Sequence, residues 1–456
     1  MIFNIYSKQY GDYNSFRAEK EKKYLCHAPF RNILFIQGGN IMACHFNRSY
    51  ILGNYPSQTL TDIINGNTLK ALKNKLKNYH FPDSCFFCKN EIDNNRFYQA
   101  GCKKYDYLSE FSRKNKIISM EFQTSNVCNL ECIMCSGEYS SLVRKNRELG
   151  PPCSNPYDDN FIKQLIPYLN QLEFASFTGG EPFLNPLYYE IWKKIKETNP
   201  HLHITVSTNG TVLNNKIRQI FDSLYMELTV SIDTLDKDTY NKIRINADFD
   251  ATMDNIKCFL NESVKKNRIF SVKSVIMKQN IHQIPELFEY FNERNVQIYP
   301  KLIWAPVDLS LRYATAKEFD EYIAVLKKCV LISGSDMQKF NCIRYNEIIA
   351  TLEKWKEDAT GVSREKLLKC TFEELIVQLR QLLTDFVTHD EMTGYEKRNE
   401  LLSHIDKLHS FILSLNKSPE DNKELLSGIL SLPNHMIVNE FYRMNPEMFI
   451  NRLMKN

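Results

Sequence analysis

The 456-residue sequence contains no run of about 18 apolar residues, which excludes an ordinary membrane-spanning helix. Its polar, tyrosine-rich start, Met1–Asn14, lacks the apolar core of a secretion signal, so the expectation is a cytoplasmic protein. Charge of one sign is not in excess either. Lys and Arg number 58 against 54 Asp and Glu, and the resulting +4 is too balanced to gather nucleic acid by field alone. Pairs such as Lys22-Lys23 and Lys103-Lys104 read as solvated surface. No repeat or low-complexity tract is present. What remains is ordinary globular composition, 43% hydrophobic and 25% charged, in a chain long enough to bury a substantial core without staples.

Cysteine is the informative residue. There are 13, an odd number, and a large chain without an export signal gives disulfides little support. Seven of them fall into two groups with metal-ligand spacing. Of the others, Cys153, Cys258, Cys329, Cys342 and Cys370 read first as small buried hydrophobes. Cys102 is a candidate spare ligand.

Three zones follow from the hydrophobic pattern. Residues 1–106 hold five cysteines and few helix signals, apart from one helix expected over Ser57–Leu76. Residues 116–308 alternate strands with amphipathic helices. The expected strands are Ile117–Gln123, Leu172–Phe177, His203–Ser207, Leu228–Ile232, Phe270–Met277 and Val296–Ile303. Such alternation predicts an α/β fold with a parallel sheet, a partial (β/α)6 barrel, and a site at the C-terminal strand ends. Residues 313–456 read as helical, with a capping box at Thr371–Glu374 and apolar stripes through Leu375–Phe386 and Leu401–Leu415. Loops are expected at Glu357–Ser363 and Asn416–Asn422.

Directly after the first strand stand Cys128, Cys132 and Cys135, spaced C-x3-C-x2-C. Three thiolates this close can hold three irons of a cubane and leave the fourth open for a ligand. A zinc site ordinarily wants four ligands in two close pairs.

From this point the chain resembles the radical S-adenosylmethionine superfamily. Thr178-Gly179-Gly180-Glu181-Pro182 follows the second strand, as that family's GGEP motif does. Ser207-Thr208-Asn209-Gly210-Thr211 follows the third. Ser231-Ile232-Asp233 closes the fourth, with Tyr240–Arg244 after it. The resemblance implies a catalytic [4Fe-4S] cluster on Cys128, Cys132 and Cys135, and S-adenosyl-L-methionine chelating the open iron. Gly179 and Gly180 would let backbone approach the ligand, and Glu181 would accept the methionine ammonium. Arg244 is a candidate for the carboxylate, while Ser207, Asn209 and Ser231 are candidates for carboxylate and ribose hydroxyls. Met134 stands where the family often has an aromatic beside adenine. Asp233 reads equally as a turn or cap residue and stays outside the candidate site.

The second group opens with Cys26 and Cys44 as C-x12-G-x4-C and closes with Cys85 and Cys88 as C-x2-C. It resembles the twitch domain, the shorter relative of the SPASM domain, here placed before the radical domain. Four thiolates would saturate a second, auxiliary [4Fe-4S] cluster; a structural zinc site is the bland alternative. His45 reads as a satisfied surface histidine.

The resemblance implies an enzyme that forms a 5′-deoxyadenosyl radical and abstracts hydrogen from a C–H bond of a peptide or small molecule, in a net oxidation or rearrangement. A reductase such as flavodoxin or ferredoxin would feed it; neither nucleic acid nor membrane is an expected partner. Two readings compete: a non-catalytic iron–sulfur electron-transfer protein, which has no need of the Gly-Gly-Glu-Pro loop, and a zinc-bound interaction module. No catalytic acid, base or hydrogen donor can be assigned from sequence.

Overall fold

The computed structural model describes residues 10–93, 95, 97, 99–111, 116–303, 306, 308–359, 364–389, 395–414, 418–432 and 434–443. The chain forms two compact units. One comprises the chain up to Glu131, with Gly137–Thr229 and Ala251–Phe270; the other comprises Cys132–Ser136, Val230–Asp250 and the chain from Ser271 on. All six expected strands form: β4 (Ser119–Gln123), β5 (Phe174–Phe177), β6 (His203–Thr208), β7 (Met226–Ser231), β8 (Phe270–Ile276) and β9 (Gln297–Leu302). They alternate with helices in the (β/α)6 order of a partial barrel.

In the first unit, β4, β5 and β6 run parallel in sequence order. An alternation of buried and half-buried residues puts Ala175 and Phe177 of β5 into the core. Phe122 stacks on Phe177 at 4.8 Å, and the buried ring of Trp192 closes on Phe177 from the helix Pro186–Thr198. That helix starts where Asn185 caps it, and Asp158 caps the neighbouring helix Asp159–Leu169.

The sheet does not stop at β4. The N-terminal zone adds β1 (Asn32–Ile36), parallel to β4, and then β2 (Asn40–Met42) and β3 (Gly53–Asn54), antiparallel. The register sets Phe35 opposite Phe122, with rings stacked at 5.2 Å. The single helix expected over Ser57–Leu76 is two, Leu60–Ile64 and Asn67–Lys77. Gly66 separates them: its extended backbone serves as N-cap of the second, and a Cβ there would meet the Asp62 carbonyl at 2.8 Å.

In the second unit β8 and β9 pair in parallel from Ser271–Gln297 to Ile276–Leu302, and the Ile232 N–H bonds the Lys273 carbonyl. The C-terminal helices bury a core of their own, in which Leu375, Leu379, Leu383 and Phe386 face Leu401, Ile405, Leu408 and Ile412. The capping box forms: Thr371 N–H bonds Glu374 at 2.7 Å, and Glu374 N–H bonds the Thr371 hydroxyl at 3.2 Å. Both expected loops overlap helices. The helix Asp336–Ala359 runs through Glu357, and the helix Pro419–Leu430 takes in Asp421 and Asn422, because Ser418 and Asp421 make a capping box of their own. Residues 360–363 and 415–417, Leu415 among them, lie outside the described residues. Among the described residues, no helix is long and apolar enough to cross a membrane.

Candidate cluster and cofactor sites

Beyond β4 the chain turns irregular and carries Cys128, Cys132 and Cys135, each half-buried. In the first unit, serines of the following segment hold this loop: Cys128 N–H bonds the Ser141 hydroxyl at 3.2 Å, and the Ser140 hydroxyl bonds the Leu130 carbonyl at 2.7 Å.

The Gly-Gly-Glu loop after β5 lies directly on it. Gly180 N–H bonds the Ser125 carbonyl at 3.0 Å, and Glu181 N–H bonds the Val127 carbonyl at 2.8 Å. A Cβ at Gly180 would sit 2.2 Å from the Val127 carbonyl oxygen, and one at Gly179 (φ +117°) 2.5 Å from that of Ser125. The glycines thus serve an approach of backbone to backbone, where the sequence suggested backbone to ligand.

Glu181 is 1% exposed, at the C-terminal end of the parallel strands. Its carboxylate accepts the Asn209 N–H at 2.7 Å, the Thr208 hydroxyl at 2.8 Å and the Phe183 N–H at 3.1 Å. Burial raises the carboxyl to about 7, against those hydrogen bonds. A carboxylate has about four lone-pair sites, so one remains for a cationic group. Asn209 closes a hydrogen-bonded ring back to the cluster loop. Its amide donates to Asn129 at 3.0 Å, Asn129 donates to Thr211 at 2.8 Å, and the Thr211 hydroxyl returns to Asn209 at 2.7 Å. The Asn209 amide also lies 3.9 Å from the Cys128 sulfur. Gly179, Gly180, Glu181, Asn209 and Cys128 therefore form one constellation. Thr208, Asn129 and Thr211 belong to it too, and sequence reading missed them. Ser207 sits on the opposite face of β6 from Thr208 and is exposed.

In the second unit, Arg244 is buried, and its Nε donates to Asp233 at 2.8 Å. Asp233, set aside at the sequence level, is thus the anchor of Arg244; it also accepts the Val275 N–H at 2.8 Å. The Ile133 N–H bonds the Ile243 carbonyl, which places Arg244 within electrostatic reach of Cys132. Met134 is buried with Ile243, Met277 and Ile303. Ser231 is half-buried at the end of β7. Cys153, in the first unit, accepts the Asn126 amide at 3.3 Å.

The N-terminal cysteines converge. Cys26, Cys44, Cys85 and Cys88 line one cavity, walled otherwise by groups such as Leu72, Leu76 and Phe81. A fifth thiol, Cys102, lines it as well. They ring a space rather than a point, for among the described residues no three His, Cys, Asp or Glu gather tightly enough for a single ion. Burial raises the Cys44 thiol to about 12 and pushes Cys85 up too, even though the Asn47 amide donates to the Cys85 sulfur at 3.1 Å. Beside this cavity, Glu121 of β4 accepts the Asn32 amide at 2.6 Å and the Tyr105 hydroxyl at 2.8 Å, and pairs with His45 at 2.7 Å. His45 is satisfied there.

Family comparison decides the class. Residues 122–291 match the radical SAM superfamily, and residues 26–89 match the iron–sulfur cluster-binding SPASM domain. Residues 122–291 form a radical SAM superfamily domain. The GTP 3′,8-cyclase of Helicobacter pylori is 27% identical over 187 residues, 40% of this chain and 55% of that protein. The GTP 3′,8-cyclase of Clostridium acetobutylicum is 27% identical over 157 residues, 34% and 46% respectively. The chain spans about half the length of the curated relatives it matches. SuiB of Streptococcus suis, solved with S-adenosylmethionine bound, is a loose structural likeness: TM-score 0.35, 15% identity, 57% of this chain and 56% of that one.

A radical SAM domain implies a [4Fe-4S] cluster with S-adenosylmethionine, and a SPASM domain implies auxiliary iron–sulfur. The residues present fit both. Cys128, Cys132 and Cys135 follow one another on a loop whose start the Gly-Gly-Glu backbone braces, and Glu181 there is a buried carboxylate that gains from a cation. Beside Cys135 the Ser136 hydroxyl is enclosed without a hydrogen-bond partner among the described residues, a donor suited to cluster sulfur. In the N-terminal zone a thiol-lined cavity offers the soft donors that iron–sulfur clusters take.

Proposed function

We propose that this chain is an enzyme that makes a 5′-deoxyadenosyl radical and uses it to abstract hydrogen from a C–H bond of a peptide or small molecule, in a net oxidation or rearrangement. The observation that carries this reading is the docking of Gly180 and Glu181 onto the Ser125 and Val127 carbonyls. It sets a buried carboxylate and the start of the cysteine loop in one frame. When bound, the cluster and S-adenosylmethionine supply the radical. The protein's part is to hold and orient. Cys128, Cys132 and Cys135 would ligate the catalytic cluster. Glu181 would bind the methionine ammonium, and Asn209 its polar groups. Arg244, fixed by Asp233, would add positive charge near Cys132, favouring an anionic cluster or carboxylate. The auxiliary site suits a net oxidation because it can accept an electron from a substrate radical. GTP, the molecule in the relatives' names, is one small molecule to try beside peptides. A flavodoxin or ferredoxin would supply electrons.

The test is an oxygen-free reconstitution with iron and sulfide, reduction with dithionite, and addition of S-adenosylmethionine. 5′-Deoxyadenosine is expected from the parent and none from C128A/C132A/C135A. Product from both would remove the cysteine loop from the chemistry. Loaded clusters with no product, even with cell extract as a source of substrate, would leave an electron-transfer protein.

A further inference from the structure

The wall of the auxiliary cavity is sulfur and apolar carbon almost throughout, and one side chain breaks that pattern. Asn47 lines the cavity, 3% exposed, among neighbours such as Leu72, Leu76 and Phe81. Its Nδ2 donates to the Cys85 sulfur at 3.1 Å, across a separation of 38 residues. Its Oδ1 is enclosed without a hydrogen-bond partner among the described residues. Tyr105 is the other polar side chain, thiols aside, among the described residues of this wall, and it turns its hydroxyl to Glu121 at 2.8 Å. The amide of Asn47 is therefore the side-chain N–H that faces the thiols.

A buried amide with an idle carbonyl is destabilising, and a leucine would fill this wall without that cost. What the amide adds is its donor. A neutral thiol is a weak acceptor. A thiolate bound to iron is a better one, because a hydrogen bond to an anion is about twice as strong as a neutral one. Bound sulfur also carries no hydrogen, so only the NH2 end of Asn47 can meet it. The turn that presents Asn47 is tied down on its far side. The Tyr50 N–H bonds the Asn47 carbonyl at 3.4 Å, and Arg48, next in the chain, donates to Gln123 at the end of β4 at 3.2 Å. The amide thus stands ready beside Cys85, held by groups that are not themselves ligands, as outer partners of a metal site are.

We propose that Asn47 raises the reduction potential of the auxiliary cluster through its hydrogen bond to the Cys85 sulfur, an inference that rests on the reading that the cavity holds such a cluster. An added electron makes the ligand sulfurs more negative and better acceptors, so the Asn47 bond is stronger in the reduced state than in the oxidised one. Asn47 therefore makes the site a better electron acceptor, as the net oxidation proposed above requires. In turnover the donor is a carbon-centred substrate radical, which loses one electron, and a proton to solvent, as a double bond forms. The cluster gains that one electron, and no atom or proton moves at Asn47.

The experiment uses the full chain carrying C128A/C132A/C135A, so that all bound iron is auxiliary, reconstituted with iron and sulfide without oxygen. Dithionite sets a series of potentials, and electron paramagnetic resonance measures the reduced fraction at each. Asn47→Leu keeps the volume and removes the donor. It is expected to hold about four irons per chain. At a fixed potential its ratio of reduced to oxidised cluster should fall about tenfold, a downward shift of about 59 mV for one electron. Full iron with a ratio within about twofold of the parent, or a higher one, would overturn the proposal. Should Asn47→Leu lose its iron, the parent decides alone. With a heavy nitrogen isotope in the asparagine side-chain amide, pulsed paramagnetic resonance of the reduced parent cluster is expected to show coupling to that nitrogen, and its absence overturns the proposal whatever the variant does. If the background protein itself binds zinc or nothing, the cluster reading falls first and takes this inference with it, before any change at position 47.

Discussion

The carboxylate of Glu181 accepts the backbone N–H of Asn209 at 2.7 Å, and through that bond the loop after β5 is tied to the loop after β6. Asn209 in turn reaches Asn129 in the cysteine loop. A cofactor bound to Glu181 therefore bears on the loop that carries Cys128.

This tie has a pH signature. Burial raises Glu181 to about 7, whereas an unfolded glutamate titrates near about 4.3. The folded protein holds the extra proton, so this contribution to stability is full below about 4.3 and is lost as pH rises through about 7. An ammonium placed here favours the charged form. Binding of S-adenosylmethionine should strengthen about tenfold between about pH 6 and 8, with uptake of the cofactor releasing a proton. In Glu181→Gln the same titration should be flat and about 10- to 100-fold weaker, from loss of a charged hydrogen bond. Calorimetry in two buffers of different ionisation enthalpy measures both affinity and proton release. Equal pH slopes in parent and variant would discard Glu181 as the ammonium site.

The glycine pair offers a steric test. At Gly180→Ala the new methyl meets the backbone of Asn126 and Val127, which cannot step aside as a side chain would. A destabilisation of about 1–3 kcal/mol is expected, together with reduced iron on the radical cluster. Gly428→Ala is the matched control. It sits in a helix with nothing within 4 Å of the added carbon, and it should stabilise by about 0.5–1 kcal/mol. Chemical denaturation of the two variants side by side reads the contrast. If both move in the same direction, backbone contact at Gly180 is not what matters.

Asp233 and Arg244 form a buried pair, with side chains 0% and 6% exposed. Asp233→Ala leaves a guanidinium enclosed without its anchor, and removing one member of such a pair costs about 3–5 kcal/mol. Asp233→Ala with Arg244→Met should recover part of that loss, because it removes the stranded charge. The rescued protein would still bind S-adenosylmethionine poorly if Arg244 acts near the cofactor. Normal binding in the double variant would make the pair purely structural.

What sequence could show here was what lies close along the chain. The three clustered cysteines, the Gly-Gly-Glu-Pro turn and all six strands of the parallel series are local patterns, and strands buried by flanking helices leave a clear apolar rhythm. Partnerships across long separations were not visible. Nothing near Asn32 announces that it opens a strand paired with Ser119. Thr208 looked like one polar residue in a turn, and only the fold brings its hydroxyl to Glu181. Asp233 carried a turn signal as strong as any site signal until Arg244 was seen against it. Cys102 stood alone in sequence, 14 residues beyond Cys88, yet it closes the same cavity.

Glu121 is the sharpest case of a residue with no sequence signal and a heavy structural role. It sits on β4, yet its partners Asn32, His45 and Tyr105 all come from the N-terminal zone. Against the burial that would raise it, His45, Tyr105 and Asn32 hold its carboxyl below the usual range. Its stabilising effect is therefore present above about 4.3 and lost as pH falls. Glu121→Ala strips three groups of their acceptor at once, and a cost of about 2–4 kcal/mol is expected. Glu121→Gln keeps an acceptor for Tyr105 and should cost less, with a shallower loss of stability in acid. Because Cys44 precedes His45 directly, Glu121→Ala should also lower iron at the auxiliary site, measured in the C128A/C132A/C135A protein. A variant within about 0.5 kcal/mol of the parent and with unchanged iron would show that β4 holds the thiol-lined zone through strand pairing alone.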